Sequence, residues 1–227
     1  MAIAQVVQIN FTMTEAARAI RHSLPAHGLR DDSLVIKTIL AEALGGLVVK
    51  PWRVHSIRNG AVTVIGYSVT PDLAARLELA MPALRTAIEL FASPIPELSA
   101  GQRLRFRTRF VPTVREDKRE HDAFLAAVHK AGDRPVARED VYRSYVSERL
   151  HGAAVQSLIF DDFSLREFVR PIHLPDSRKW ATLTMPVAEV SGVLSVTEPD
   201  VLRKTLLGGI GRHNAYGFGY VRLEAEI

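Results

Sequence analysis

The chain contains no cysteine. Disulfide bridges and thiolate zinc sites are thereby excluded, and a reducing compartment is the expected setting. No apolar run approaches the length that spans a membrane, and the opening MAIAQVVQINF has neither a charged n-region nor a cleavage site. A soluble, cytoplasmic protein is expected. The phosphate-loop pattern GxxxxGKS/T is missing, and no strand runs directly into GxGxxG followed by a helix. The two common nucleotide-loop motifs are therefore absent. No histidine pair has the HExxH spacing, so no metal site is expected, nor any small-molecule cofactor.

What is present is a chain of 227 residues, 47% hydrophobic, with a formal charge of +4 and a pI near 9.6. That length holds one large domain or two small ones. The positive charge is mild but unevenly placed, which is compatible with a nucleic-acid partner.

Ala4 to Phe11 reads as a strand, and Thr12 to Arg30 as a short helix plus a loop that carries His22 and His27. Asp31 or Asp32 can cap a helix from Ser33 to Leu44, which Gly45-Gly46 ends. Ile36, Ile39, Leu40, Ala43 and Leu44 form its buried stripe, and Lys37 lies near the stripe's edge. Trp52 to Ile57 and Val62 to Tyr67 are strands joined through Arg58-Asn59-Gly60, a hairpin signal. Thr70-Pro71-Asp72 starts the next helix, with Thr70 as cap. Ala92 to Gly101 reads as a linker.

In the second half, His121 to Lys130 and Arg138 to Leu150 read as helices. Val155 to Phe160 and Phe163 to Val169 read as a hairpin around Asp161-Asp162, and Ala181 to Val196 as one or two strands. Glu198 to Leu207 is helical and Tyr220 to Ile227 is a strand. SVTPDLAARL (Ser68 to Leu77) and SVTEPDVLRKTL (Ser195 to Leu206) repeat one device: a strand end, a Thr cap, a proline in the first turn and a helix. The echo favours two related α+β units, an N-terminal ferredoxin-like domain over 1–95 and a C-terminal one over 96–227. Two such sheets side by side would leave a groove suited to RNA.

Two stretches carry the candidate chemistry. GQRLRFRTRFVP alternates, with Leu104, Phe106 and Phe110 on one face and Arg103, Arg105, Arg107 and Arg109 on the other. Alternate strand residues stand about 6.6 Å apart, so four guanidiniums form a row. The row is either a solvated outer face or a track for an RNA backbone. Arg115, Lys118 and Arg119 extend the basic region, although Glu116, Asp117 and Glu120 could pair with them on a helix surface. GGIGRHNAYGFG, Gly208 to Gly219, holds five glycines beside Arg212 and His213. Such a loop is either a set of turns or a phosphate cradle formed by N–H groups and a guanidinium. Phe106, Phe110, Phe124 and Phe218 sit at core-like positions, whereas Tyr216 is placed to stack on an unpaired base.

GIGRHNAYGFG resembles the C-terminal glycine-rich loop of the CRISPR repeat-processing endoribonucleases, most nearly the CasE type, the RNA-processing subunit of the Cascade complex. GQRLRFRTRFVPTVR is similar to that family's basic strand. KREHDAFL, REDVYRSYVSERL and the strand start at Gly152-Ala153 follow its order, and VTEPDVLRKTLLGGIGRHNAYGFGYVRL matches its terminal strand, helix, loop and strand. The resemblance implies tandem ferredoxin-like (RRM-like) domains of the RAMP superfamily that grip the hairpin of a CRISPR repeat. It implies metal-independent cutting by 2′-hydroxyl attack, with cyclic-phosphate and 5′-hydroxyl products. It also implies that the protein stays with the crRNA among other Cascade-type subunits in antiviral defence.

The family's helix histidine and the tyrosine three residues before it fall on Lys37 and Leu34. Lys37 could stabilise the phosphorane by charge. It could act as the acid, since an ordinary lysine with a pKa of about 10.4 holds its proton at neutral pH. Or it could only contact phosphate in a protein that does not cut. His22 and His27 are the candidate substitutes for the missing histidine. Arg103, Arg105, Arg107, Arg109, Arg115, Lys118, Arg119, Gly209, Gly211, Arg212, His213 and Tyr216 are the candidate RNA contacts. Two alternatives stay open: a structural RNA-binding subunit that caps the crRNA hairpin, and a small-molecule enzyme that holds a nucleotide phosphate in the glycine loop.

Overall fold

The computed structural model describes residues 3–116, 119–174 and 177–226, with backbone alone at 26–27, 116, 119, 172–174 and 177–179. The chain divides into two compact units. The first comprises Met1–Ile95, Glu167–Thr184 and Ala215–Gly217; the second comprises Pro96–Arg166, Met185–Asn214 and Phe218–Ile227.

In the first unit, β1 (Gln5–Thr12) is followed by α1 (Met13–Ala19), two short 3-10 turns and α2 (Asp32–Leu44). β2 (Trp52–Arg58), β3 (Ala61–Ser68), α3 (Leu73–Glu78), α4 (Pro82–Ala87) and β4 (Ile88–Pro94) complete it. The sheet order is β2-β3-β1-β4, and each resolved pair is antiparallel. The Asp31 side chain accepts from the backbone N–H groups of Ser33 and Leu34 and so caps α2, while Gly45, at φ 65°, closes its far end. The expected stripe of α2 is buried, at 2% exposure or less for Ile36, Ile39, Leu40, Ala43 and Leu44. It packs in one core with Val7, Ile9 and Phe11 of β1 and Val62 and Val64 of β3. Asn59 and Gly60 take positive φ at 51° and 81°, as a two-residue hairpin turn requires.

The second unit contains β5 (Arg103–Phe110), the hairpin β6 (Thr113–Glu116) and β7 (Arg119–Asp122), α5 (Ala123–Ala131) and α6 (Arg138–Ser147). The long strands β8 (Ala153–Leu174) and β9 (Ser177–Val196) follow, belonging to this unit as far as Arg166 and from Met185 onward, then α7 (Pro199–Gly208) and β10 (Val221–Ala225). The order β10-β5-β9-β8 places the first strand between the fourth and the third, as in the first sheet. Both units thus carry the βαββαβ arrangement of a ferredoxin-like fold, so the chain is a tandem α+β protein.

Four local expectations are corrected. Asp161-Asp162 is no turn: β8 runs through it, because Asp161 accepts a 3.0 Å hydrogen bond from Ser191 Oγ and lies 4.0 Å from Arg107 Nε. A carboxylate engaged from other strands of its sheet has no need of the backbone contacts that make aspartate a turn former. Residues 119–122 are a strand paired to 113–116, so Arg115 and Arg119 lie on paired strands rather than on a helix, and the helix begins only at Ala123, capped by Asp122. Thr70 does not cap α3; the cap position is Asp72, in the left-handed region at φ 50°. The echo keeps its strand-to-helix passage in both units but not its threonine cap, since α7 likewise starts at Pro199 after an extended Glu198 with no side-chain cap. The expected linker is shortened, because β4 pairs with β1 as far as Pro94.

Candidate functional site

In the first unit, α2 presents Lys37 to Tyr216. The Lys37 Nζ donates a 2.9 Å hydrogen bond to the phenol oxygen and lies 4.0 Å from the ring centroid. Tyr216 is held by its neighbours in sequence. Trp52, 1% exposed, donates its Nε1–H to Ala215 O at 3.1 Å. Gly217 sits at φ 88°, where a Cβ would come within 2.7 Å of the Trp52 ring. The Phe168 ring meets Tyr216 edge-on at 6.5 Å. Burial, and then the Asp31 carboxylate, raise the phenol's pKa, while Arg170 opposes them. Tyr216 is therefore a neutral phenol facing an ammonium. Expected in sequence to offer its ring to a base, it is only 9% exposed.

Asp31 does more than cap. Its Oδ1 accepts from Ser33 N at 3.0 Å and Leu34 N at 3.2 Å, and its Oδ2 accepts from Val169 N at 2.7 Å. The N-terminal turn of the helix that bears Lys37 is thus tied to β8.

His22 is exposed on the 3-10 turn Arg21–Ser23. The neighbouring Ser23 Oγ donates to Glu42 Oε1 at 2.8 Å. Glu42 lies about 7.5 Å along the helix axis from Lys37 at the usual rise. Among the described residues no hydrogen bond or ion pair joins His22 to Lys37. His27 lies on the second 3-10 turn, Ala26–Arg30, with its side chain outside the described residues.

In the second unit the β5 alternation is as expected. Leu104, Phe106 and Phe110 are buried at 5%, 2% and 0% exposure, while Arg103, Arg105 and Arg107 are exposed and Arg109 is half-buried. The row is laced with carboxylates. Arg103 grips Glu226 with two nitrogens, at 2.7 and 3.1 Å. Arg107 Nε is 2.6 Å from Glu189 and 4.0 Å from Asp161. Arg109 stands in register with Glu189, and its guanidinium carbon lies 5.6 Å from the Phe218 centroid. Arg105 has no ion pair among the described residues. These carboxylates come from β8, β9 and the C-terminal end, and only strand register brings them beside the row.

The glycine segment folds back on itself. Within the second unit, Ile210 N donates to Gly219 O at 2.9 Å, Gly219 N donates to Arg109 O at 2.8 Å, and the Asn214 amide donates to Gly208 O. Gly209 N is taken by Thr205 O at 2.8 Å. Arg212 forms an ion pair with Glu120, and His213 Nε2 lies 3.2 Å from the same carboxylate. Gly211, at φ 77°, has no room for a side chain, since a Cβ would lie 2.9 Å from Val111 O. Arg115 is exposed on β6; Lys118 lies outside the described residues, as does the side chain of Arg119. A cleft of about 390 Å³ brings Arg115, Gly209, Gly211 and Arg212 together with Thr113, Tyr145 and Arg149. Sequence reading passed over Thr113 and Arg149, because neither stands in a basic run or a motif. Likewise, it read Asp31 only as a possible cap.

Among the described residues no helix is long and apolar enough to cross a membrane. The chain thus combines a tandem ferredoxin-like arrangement with a basic strand opening its second half and a glycine-rich loop near its end. Residues 33–224 match the family described as CRISPR associated protein. The chain belongs to that family. Its fold is similar to that of the CRISPR endoribonuclease Cse3 bound to a 19-nucleotide RNA: TM-score 0.63, 20% identity, 99% of this chain and 100% of that one. It is similar also to Thermus thermophilus Cse3 bound to an RNA representing a pre-cleavage complex: TM-score 0.64, 17% identity, 98% and 99% coverage. A third likeness is to a chain of a CRISPR RNA-guided surveillance complex: TM-score 0.51, 15% identity, 98% and 100% coverage. No curated protein matches the chain in sequence.

Proposed function

We propose that this protein is a CasE-type endoribonuclease that binds the hairpin of a CRISPR repeat, processes precursor crRNA and remains with the product in a Cascade-type complex. The observation that carries this reading is the family match over residues 33–224, along the whole of a fold whose RNA-bound likenesses include an endoribonuclease and a pre-cleavage complex. The reaction is a transesterification. The 2′-oxygen attacks phosphorus, the bond to the 5′-oxygen breaks, the 2′-hydroxyl loses its proton to a base, and the leaving oxygen gains one from an acid. The pentavalent intermediate needs positive charge. Lys37, whose ammonium is aimed by a neutral Tyr216, supplies that charge or the leaving-group proton. His22 and His27 are the candidate bases. Arg103, Arg105, Arg107, Arg109, Arg115, Lys118, Arg119, Arg212 and His213 are the candidate RNA contacts.

The second reading is a subunit that caps the crRNA hairpin without cutting. It is favoured by Lys37 itself, since an ammonium hydrogen-bonded to Tyr216 cannot accept a proton. The test is to incubate the protein with its cognate repeat hairpin in EDTA and to analyse the RNA ends. A single cut leaving a cyclic phosphate, slowed at least a hundredfold by Lys37→Ala with hairpin affinity within threefold of wild type, is the expected result. Full-speed cutting by the variant refutes the role of Lys37. Tight binding with intact RNA after long incubation establishes the capping subunit instead.

A further inference from the structure

The cleft between the start of β6, the end of α6 and the glycine segment has the composition of an anion site. Its lining includes three guanidiniums, Arg115, Arg149 and Arg212, and no carboxylate among the described residues. Two of the three are held in place by neighbouring residues. Arg212 is paired with Glu120. Arg149 stacks on the Tyr145 ring at 3.6 Å, donates to Tyr145 O at 3.0 Å and lies 3.7 Å from the exposed Glu148. Arg115 has no carboxylate partner among the described residues.

Thr113 supplies an independent observation. It is 4% exposed, and its Oγ1 is buried with no hydrogen-bond partner. Its backbone is committed elsewhere: the N–H donates to Val111 O at 2.9 Å, and the carbonyl accepts from the Tyr145 hydroxyl at 3.1 Å. A buried hydroxyl without a partner is costly, and one beside clustered guanidiniums calls for an oxygen-rich ligand. Gly211 packs its backbone tightly into the wall, since a Cβ there would meet Val111 O at 2.9 Å and the Tyr145 hydroxyl at 3.1 Å. A phosphate offers acceptors for the guanidinium forks and for the threonine O–H together.

We propose that this cleft binds one phosphate group of an RNA strand, held by Arg115, Arg149, Arg212 and the Thr113 hydroxyl. The assignment to RNA rests on the endoribonuclease reading; the anion chemistry of the cleft does not. Two measurements on the intact protein separate them. The first is an NMR titration with inorganic phosphate at constant ionic strength. It should give saturable shifts at Thr113, Gly211 and the Arg149 side chain. The second is the affinity for the cognate hairpin as a function of salt, for wild type, Thr113→Val and Arg115→Gln. Each variant should bind three- to tenfold more weakly, and Arg115→Gln should lower the slope of log K against log salt by about one. Thr113→Val should keep or raise Tm, because it removes an orphaned hydroxyl.

RNA bound by both variants as by wild type, with no phosphate shifts, overturns the cleft and leaves the endoribonuclease reading intact. Saturable phosphate binding by a protein with no RNA affinity overturns the RNA source. Absence of both refutes both. A fall in Tm for Thr113→Val with unchanged affinity assigns the hydroxyl to the fold and overturns its role as ligand.

Discussion

Asp31 is the most informative single side chain to perturb, because its two oxygens serve two elements. Oδ1 caps α2 through Ser33 and Leu34, and Oδ2 accepts the Val169 N–H at 2.7 Å. Val169 is 7% exposed, so water cannot readily replace that acceptor. Asp31→Ala loses the cap, worth about 0.5–2 kcal/mol, and orphans a buried donor, at about 1–3 kcal/mol. The combined loss is roughly 1.5–5 kcal/mol by those two terms. Asp31→Asn separates them. Asparagine caps about as well as aspartate, but its single oxygen cannot also serve Val169, so about half of the loss should remain. Since the chain has two compact units, a global denaturation curve need not be two-state, and amide hydrogen exchange is the better assay. Protection at Ser33, Leu34 and Val169 should fall in Asp31→Ala, while Asp31→Asn should restore the helix amides and leave Val169 fast. If Val169 exchanges equally slowly in wild type and Asp31→Asn, the strand tie is not an energetic contact, and the argument that α2 is anchored at both oxygens fails.

Burial first, and an aspartate nearby in two of the three cases, raise the phenol pKa of Tyr142, Tyr145 and Tyr216. Stability from these groups is therefore complete below the ordinary tyrosine value of about 10 and is lost as pH climbs through the raised folded values. Urea midpoints should fall steeply above that pH, and Tyr142→Phe should lessen the fall; a midpoint flat with alkaline pH refutes the burial of these phenols as free-energy terms. Gly217→Ala should cost about 1–3 kcal/mol, since it forces a Cβ into the left-handed region against the Trp52 ring. Altered Trp52 fluorescence together with slower RNA cutting would show that Tyr216, and through it Lys37, had been displaced. A variant with wild-type stability and emission would mean that the segment does not rest on Trp52.

Much of the fold was legible because its signals are local. The cap, apolar stripe and glycine stop of α2, the Asn-Gly turn and the alternation along β5 all depend on residues within one or two turns of each other. The corrections arose where a local signal met a distant partner. Asp161-Asp162 reads as a turn until Ser191 and Arg107 engage Asp161, and Thr70 reads as a cap until the chain enters α3 through a left-handed Asp72. The candidate site divides in the same way. The row of arginines could be counted from the sequence, but the carboxylates that lace it could not.

The amino-acid order alone determined where most helices and strands lie, which of their faces are apolar, and which stretches are rich in cations, because backbone periodicity and capping act over a few residues. Only the tertiary structure decided what those cations face. Lys37 meets a phenol 179 residues further along the chain. Arg107 meets Glu189 through the register of β5 on β9, and Thr113 lies beside Arg149 because α6 packs its Tyr145 hydroxyl on the Thr113 carbonyl. Contacts of this kind depend on strand register and helix packing, and no short window of sequence contains either.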